Sequence, residues 1–201
     1  MRSAFTVFAF GLLATGHIEG QTASLGDLVK QLRQGGYVLV MRHASSPRET
    51  PSKETANADN TRLERQLDEA GRRGATAMGD TLRALKIPIG TVLTSPTYRA
   101  LETVKYAGFT SPMVVDELGD RGKSMQGVDE SQATWLRQKV AEVPRSGNSL
   151  LVTHQPNLSR AFADWGGTVA DGEVVVIRPN GRGDLAVIGR VPIEAWTQLM
   201  K

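Results

Sequence analysis

Two short apolar runs in this chain of 201 residues each end one residue before a histidine. Residues 37–41, Tyr-Val-Leu-Val-Met, lead into Arg42 and His43. Residues 149–152, Ser-Leu-Leu-Val, lead through one threonine into His154. Short runs rich in Val and Leu predict buried strands of a parallel sheet, and in open α/β sheets the ligand crevice lies beyond the carboxyl ends of such strands. The pattern therefore predicts an α/β fold with both imidazoles at the edge where ligands bind.

The N-terminus has the pattern of a secretory signal. Arg2 precedes an apolar stretch over residues 4–14, which is shorter than the roughly 20 residues of a membrane-spanning helix. Small residues allow cleavage after Gly16 or after Gly20, and the sequence does not choose between them. We therefore expect a periplasmic or secreted protein, without stable membrane insertion once the signal is removed.

The composition narrows the number of domains and the classes of site. We assign residues 1–20 to the signal peptide and residues 21–201 to one domain, since single domains commonly hold about 100–200 residues. The chain has no cysteine, which excludes disulfides, a thiolate nucleophile and a zinc–thiolate cluster. Its 24 Lys and Arg against 21 Asp and Glu give a net charge of +3, without the like-charge runs typical of nucleic-acid binding. We expect no nucleic-acid partner, and the mild basic excess suits a phosphorylated ligand.

Apolar periodicity and turn residues predict the order of the helices and strands. The predicted elements are, in chain order, a helix from Leu25, a strand over 37–41, a helix over 67–85 capped by Asp68, a strand over 91–94, a helix opened by Ser95 and Pro96, a strand over 113–115, a helix over 131–143, a strand over 149–152 followed by a helix, a hairpin of strands 173–177 and 185–191, and a short final helix. This order favours a three-layer α/β/α architecture, with a mostly parallel central sheet that ends in an antiparallel hairpin.

Residues 45–65, which we call the polar loop, are nearly free of large apolar side chains and mix both signs of charge. A loop of this length inside a compact domain is usually functional or disordered. Because it begins next to His43, we expect it to supply substrate contacts, and a mobile, solvated loop is the alternative. The basic side chains that we expect to make these contacts are Arg48, Lys53, Arg62 and Arg65.

Four basic side chains fall at strand ends or in the helical turn that follows a strand. They are Arg42, His43, Arg99 and His154. If the strands before them are parallel, these side chains converge on one pocket, beside the positive N-terminal end of the helix that Pro96 opens. Such a set suits a phosphate dianion, because phosphoryl transfer requires neutralisation of the charge on three oxygens.

The same set predicts a histidine nucleophile and no metal ion. Guanidiniums beside an imidazole disfavour its protonated form and leave a nitrogen free to attack phosphorus, whereas a bound dianion acts in the opposite direction. The sequence contains no H-x-x-H or H-E-x-x-H spacing, and adjacent arginines would repel a cation. We therefore expect a reaction that uses no metal and no other cofactor.

Four motifs resemble those of the histidine phosphatase superfamily, also called phosphoglycerate mutase-like. They are residues 40–44 (Val-Met-Arg-His-Ala), 67–71 (Leu-Asp-Glu-Ala-Gly), 94–103 (Thr-Ser-Pro-Thr-Tyr-Arg-Ala-Leu-Glu-Thr) and 151–154 (Leu-Val-Thr-His). They occur in the family's order, within residues 37–157. The resemblance implies that His43 becomes phosphorylated and that water then releases phosphate. It also implies that Arg42, Arg99 and His154 hold the phosphoryl group.

The chain departs from the family pattern beside the nucleophile and leaves the proton donor open. Ala44 stands where the family usually has Gly, and Ser45, which we expect to contact the substrate, replaces a common Glu. In many relatives an acidic residue follows a Leu-x pair. The corresponding residue here is Asp120, and Glu117 is the competing candidate.

The short interval between Arg99 and His154 leaves little room for a covering lid, so the chain resembles the small phosphatase branch more than the mutases. Together with the signal peptide, the resemblance implies an exported phosphatase that acts on phosphomonoesters or phosphoramidates. Its substrate would be a phosphorylated small molecule, a glycan or a phosphoprotein. Two alternatives remain: a non-catalytic module that binds phosphate groups and, with less support, a phosphoglycerate mutase.

Overall fold

The computed structural model describes residues 24–120, 127–183 and 185–200. The predicted signal peptide and both of its cleavage sites lie outside the described residues. In the described part of the chain, none of the helices combines the length and the apolar character needed to cross a bilayer.

Six strands form one sheet. They are β1 (Val38–Arg42), β2 (Ile89–Thr94), β3 (Met113–Val114), β4 (Asn148–Thr153), β5 (Val174–Pro179) and β6 (Leu185–Val191). Their spatial order is β3-β2-β4-β1-β5-β6. The first four strands in this order are parallel, whereas β5 runs antiparallel to β1 and β6 runs antiparallel to β5. The mostly parallel sheet and its antiparallel C-terminal hairpin are therefore both confirmed.

Helices connect the strands. They are α1 (Leu25–Gln34), α2 (Glu69–Ala84), α3 (Tyr98–Tyr106), α4 (Glu130–Ala141) and α5 (Gln155–Ala161), with short 3-10 helices at Asp116–Leu118, Gly166–Thr168 and Ile193–Met200. The predicted elements are all present, with ends that differ from the sequence-based bounds by a residue or two.

Side chains alternate across β1 and show why helices cover both faces of the sheet. Leu39 and Met41 belong to one buried cluster, together with side chains of α1, α2 and α3. Val38 and Val40 belong to a second buried cluster, together with side chains of α4 and α5. A strand that is apolar on both faces needs cover on both. The predicted three-layer architecture is thus confirmed.

We predicted the N-terminal ends of α2 and α3, the first correctly and the second incorrectly. Asp68 caps α2 as predicted, because its side chain accepts a hydrogen bond from the Gly71 N–H at 2.7 Å. The predicted start of α3 at Ser95 and Pro96 is wrong, since α3 begins at Tyr98. The free N–H of Tyr98 instead donates to Glu64 of the polar loop at 3.0 Å. The Ser95 hydroxyl instead contacts the imidazole of His154.

Candidate active site

The register of the sheet brings the two histidines together. β1 and β4 are parallel neighbours in which Arg42 pairs with Thr153, so His43 and His154 leave the same edge of the sheet. Their ring centroids lie 5.1 Å apart. Arg99 reaches the same place from the first turn of α3, which follows β2 on the other side of β4. The structure therefore brings these side chains, which are far apart in sequence, into one buried site.

Arg99 lies at the centre of this site and contacts three other groups. Its Nε donates to Nε2 of His43 at 3.2 Å, and its Nη2 donates to Nδ1 of His154 at 3.0 Å. The same Nη2 forms an ion pair with Oδ2 of Asp120. We call His43, Arg99, Asp120 and His154 the cavity floor. All four are at least nine-tenths buried, where a charge-assisted hydrogen bond is stronger than in water.

The tautomer of His43 follows from its partners. Its Nδ1 lies 2.8 Å from the carbonyl oxygen of Ala44, which can only accept, so Nδ1 carries the hydrogen. In the neutral ring Nε2 then holds a lone pair, which accepts from Arg99. Burial, followed by the charges of His154 and Arg99, holds the pKa of His43 well below its ordinary value. The Nε2 lone pair is therefore available near neutral pH, as a nucleophile requires.

His154 adopts the opposite tautomer. A guanidinium can only donate, so the contact from Arg99 fixes a lone pair on Nδ1 and the hydrogen on Nε2. Nε2 then donates to the hydroxyl of Ser95 at 2.7 Å, with the hydroxyl of Thr97 at 3.2 Å. Burial and the nearby arginines, Arg99 first, hold the pKa of His154 well below its ordinary value. Ser95 thus orients an imidazole, and it lies two residues before Thr97, the N-cap residue of α3.

Arg42 lies at the end of β1 with its guanidinium a quarter exposed. Its Nη1 donates to the carbonyl of Val169 at 3.0 Å and to Gln155 at 3.2 Å, and its Nη2 lies 2.6 Å from a carboxylate oxygen of Asp171. Its Nε is buried and has no hydrogen-bond partner among the described residues. Arg42 lines the same cavity as His43. The structure therefore places Arg42, which we expect to bind phosphate, at the site.

Three polar side chains that the sequence did not single out hold the segment that ends in Asp120. Gln132 donates to the carbonyl of Gly119 at 2.8 Å, and Asn157 donates to the same oxygen at 3.1 Å. Thr153 donates to the carbonyl of Leu118 at 2.8 Å. The feature of the sequence that could have identified them is a polar residue at a position predicted to face the core. These bonds fix the backbone from which Asp120 reaches Arg99.

Of the two candidate proton donors, Asp120 lies closer to the histidines. Its Oδ2 is 3.5 Å from Nδ1 of His154 and pairs with Arg99. Glu117 also lines the cavity, but within the described part of the chain it makes no recorded polar side-chain contact with the floor. The geometry thus favours Asp120.

A cavity of about 1020 Å³ opens above the floor. One side is formed by the polar loop, through Arg48, Thr50 and residues 62–65, which we call the loop wall. Asp116, Glu117, Ser131 and Gln132 also line the cavity. Of the basic loop residues that we expected to contact substrate, Lys53 is not among the lining residues.

The expectation that Ser45 contacts the substrate needs correction. Its hydroxyl donates to Oδ2 of Asp68 at 2.6 Å, and Asp68 caps α2. Ser45 is not among the residues that line the cavity. Because the hydroxyl is held by a carboxylate at the base of the loop, Ser45 supports the helix cap rather than the ligand site.

Metal ligation has no support in the described residues, where no three His, Cys, Asp or Glu side chains are grouped so as to hold an ion. The floor presents two arginine-flanked imidazoles and one carboxylate that is already paired with a guanidinium. This donor set is suited to a tetrahedral oxyanion, because guanidinium and imidazole N–H groups donate to oxygen.

Comparison with known proteins locates the fold. Neither family models nor curated protein sequences match the chain, but solved structures do. A complex of the protein histidine phosphatase SixA with tungstate is 20% identical, with a TM-score of 0.57 over 78% of this chain and 97% of that one. YhfR of Bacillus stearothermophilus is 21% identical, with a TM-score of 0.52 over 75% and 94%.

A third similar structure is a phosphoserine phosphatase mutant from Entamoeba histolytica in complex with phosphoserine. It is 10% identical, with a TM-score of 0.51 over 77% of this chain and 95% of that one. At such identities the likeness concerns the arrangement of helices and strands. The fold of this chain is that of the histidine phosphatase superfamily, the phosphoglycerate mutase-like fold.

Proposed function

We propose that the protein is a metal-independent phosphatase of the histidine phosphatase superfamily, of its small phosphatase branch, which acts through a phosphohistidine on His43. The observation that carries this proposal is the tautomer of His43, whose Nε2 lone pair is fixed at the floor of a cavity lined by Arg42, Arg99 and His154. Structures of similar fold include a protein histidine phosphatase with tungstate, which is a tetrahedral oxyanion, and a phosphoserine phosphatase with phosphoserine.

Binding of a phosphoryl dianion rearranges the contacts of Arg99. In the free protein its Nε donates to Nε2 of His43 at 3.2 Å. A phosphoryl oxygen is a stronger acceptor than a neutral imidazole, so it takes over this N–H and leaves the Nε2 lone pair free. The dianion also favours proton uptake by His154 at Nδ1, which then donates to a second oxygen. Arg42 neutralises the remaining charge.

The chemistry then proceeds in two displacements. His43 Nε2 forms a bond to phosphorus as the bond from phosphorus to the ester oxygen breaks in line with it. Asp120, having taken up a proton from the solvent, gives that proton to the leaving oxygen. In the second step water attacks phosphorus, the phosphorus–nitrogen bond breaks, and Asp120 takes up the proton of the water. The products are an alcohol and inorganic phosphate. Arginine and histidine supply the charge stabilisation for which other phosphatases use metal ions.

A trapping experiment tests the nucleophile. The protein is mixed with a radiolabelled phosphate ester and quenched rapidly, and we expect an adduct that is stable to alkali and labile to acid. The His43→Ala variant, with its fold verified by circular dichroism, should form no such adduct. Lys53→Ala, at an exposed loop position outside the cavity, should form it as the wild type does. The same adduct on His43→Ala would refute the assignment.

The ion pair between Asp120 and Arg99 favours one alternative, a non-catalytic module that binds phosphate groups, since the candidate proton donor is already engaged with a guanidinium. Two substrates separate the cases. p-Nitrophenyl phosphate has a leaving group that barely needs a proton, whereas an alkyl phosphate needs one. Turnover of both supports the phosphatase. Turnover of neither, with retained vanadate binding, supports the binding module.

We also infer that the protein is exported and acts on a phosphorylated small molecule or glycan outside the cytoplasm. The support is the sequence pattern of residues 1–20. Expression of the full chain in a bacterium, followed by cell fractionation and mass spectrometry, tests this. We expect a periplasmic or secreted product whose mass corresponds to cleavage after Gly16 or Gly20. An uncleaved cytoplasmic product would exclude export in that host.

A further inference from the structure

The loop wall carries guanidiniums that the proposed chemistry does not use. Arg48 and Arg62 line the same cavity as His43, and both are exposed. Neither makes a hydrogen bond or an ion pair with any described residue. Arg65 differs from them, because its guanidinium donates to the carbonyls of Ser46 and Pro47. Two cations in the concave wall are thus available to a ligand.

The turn that presents Arg62 is fixed by a buried amide. Asn60 is 3% exposed, and its side chain accepts from the N–H of Glu64 at 3.0 Å and donates to the carbonyl of the same residue at 2.7 Å. Within this turn Leu63 has a φ of 52°, a left-handed conformation that residues other than glycine seldom adopt. Such a conformation persists only where the surrounding structure specifies it. The backbone position of Arg62 is therefore set before a ligand arrives.

The loop is also tied to the helix that carries Arg99. Glu102 of α3 is 3% exposed and accepts from the side chain of Asn57 at 2.7 Å and from the N–H of Leu67 at 2.6 Å. Glu64 accepts from the N–H of Tyr98 at the start of α3. These bonds hold the loop wall and the cavity floor in one rigid relation.

The distribution of charge shows what the wall would attract. In the floor Arg99 is paired with Asp120, and beside the floor Arg42 is paired with Asp171. The loop wall contributes three arginines, Arg48, Arg62 and Arg65, against one carboxylate, Glu64, whose side chain contacts the start of α3. Asp116 and Glu117 also line the cavity. The loop wall therefore carries an excess of positive charge.

We propose that Arg48 and Arg62 form a second anion site, and that the substrate is a small phosphomonoester which carries another anionic group, a phosphate or a carboxylate. This inference rests on the proposed function, because the phosphoryl group that reacts must lie against His43. The cavity of about 1020 Å³ is large enough for both groups and a linker between them.

Matched substrates test the second site. Each n-alkyl phosphate of three to six carbons is compared with the α,ω-alkanediol bisphosphate of equal length, which has nearly the same leaving group. After division by two for its two equivalent ends, we expect the bisphosphate of best length to have a kcat/KM about tenfold higher, as one or two charge-assisted hydrogen bonds provide. The preference should decline as salt is added, because exposed charges are screened.

Variants locate the effect. We expect Arg48→Gln/Arg62→Gln to reduce the ratio of bisphosphate to alkyl phosphate kcat/KM to about one. Arg178→Gln removes one exposed positive charge from β5, at the end of the sheet opposite His43, and should preserve the ratio. Loss of the preference in the control as well would show that net charge, rather than the two arginines, causes it.

The outcomes distinguish this inference from the function on which it rests. If the wild type hydrolyses alkyl phosphates and bisphosphates equally at every length, the second site is refuted while the phosphatase stands. If it hydrolyses neither, the phosphatase is refuted, and calorimetric titration with the same pairs decides on the site. A bisphosphate that binds no more tightly than its alkyl phosphate would then overturn the second anion site too.

Discussion

The cavity floor and the loop wall use buried polar groups in opposite ways. In the floor, the buried side chains of His43, Arg99, Asp120 and His154 contact one another around the place of reaction, and regular strands and a helix supply the backbone hydrogen bonds. Around the loop wall, the buried side chain of Asn60 bonds to the backbone of Glu64. The buried Glu102 of α3 bonds to the side chain of Asn57 in the polar loop and to the N–H of Leu67 just after it. The comparison teaches that the floor uses regular structure to place its chemistry, whereas the wall uses buried polar side chains in place of regular structure.

The largest expected effect tests whether the floor acts as one catalytic unit. In Asp120→Asn we expect kcat for an alkyl phosphate to fall by about 10²–10³-fold, because general acid catalysis is lost. The rate with p-nitrophenyl phosphate should fall far less, since its leaving group needs little help from a proton. Steady-state kinetics with both substrates measures this difference.

Glu117→Gln is the matched control for that prediction, because Glu117 lines the same cavity and, among the described residues, its side chain makes no polar contact with the floor. It should leave the ratio of the two rates near that of the wild type. A substrate-selective loss in Glu117→Gln, with none in Asp120→Asn, would transfer the proton donor to Glu117.

The next prediction tests whether the wall depends on its buried amide. Asn60→Ala leaves the N–H and the carbonyl of Glu64 without their partner, which should lower the free energy of unfolding by about 2 kcal/mol. Lys53→Ala, an exposed change in the same loop, should alter it by less than about 0.5 kcal/mol. Denaturant titration measures both. A loop that is mobile in solution would show no difference between the two variants.

The smallest expected effect, taken per histidine and per pH unit, concerns pH and belongs to the floor. The pKa values of His43 and His154 are held below their ordinary value in the folded protein, so at mildly acidic pH the unfolded chain binds protons that the folded protein does not. The free energy of unfolding should therefore decrease as the pH falls below about 6.5, by about 1.4 kcal/mol per pH unit for each histidine. Denaturant titrations between pH 5 and pH 7 measure the slope.

Carboxyl groups such as Glu102, whose pKa is raised by burial, also contribute to the pH dependence of the free energy of unfolding. Comparison of the wild type with His43→Asn separates the contribution of His43 from theirs. The variant should lose about half of the histidine-dependent slope. If wild type and variant have equal slopes, His43 titrates in the folded protein as it does in the unfolded chain, and the floor does not suppress its charge.

The sequence predicts the floor better than the wall, for a physical reason. Strand and helix periods place side chains by rule, so apolar runs that end at His43 and His154 were enough to predict a shared edge of a parallel sheet. The family resemblance added Asp120. Contacts between elements follow no such period. The bond from His154 to Ser95 could not be predicted from local spacing.

The order of the polar loop could not be predicted from the sequence either. Its composition indicates only that it lacks a core of its own, which fits a mobile loop as well as a fixed one. Its order depends on Asn60 bonding within the loop and on Glu102, which is far away in sequence. The error at Ser45 has this origin too, because its partner Asp68 lies at the next helix rather than in the cavity.

One guanidinium contacting both imidazoles and a carboxylate has a consequence for how such a protein can diverge. A replacement of Arg99 disturbs three partners at once. Natural substitutions at this position therefore cannot change the reaction by small steps. Arg48 and Arg62 have no such contacts with the described residues, and their exchange leaves the reacting groups in place. Descendants of this chain would therefore acquire new substrates at the mouth of the cavity, while the centre is inherited intact or lost entirely.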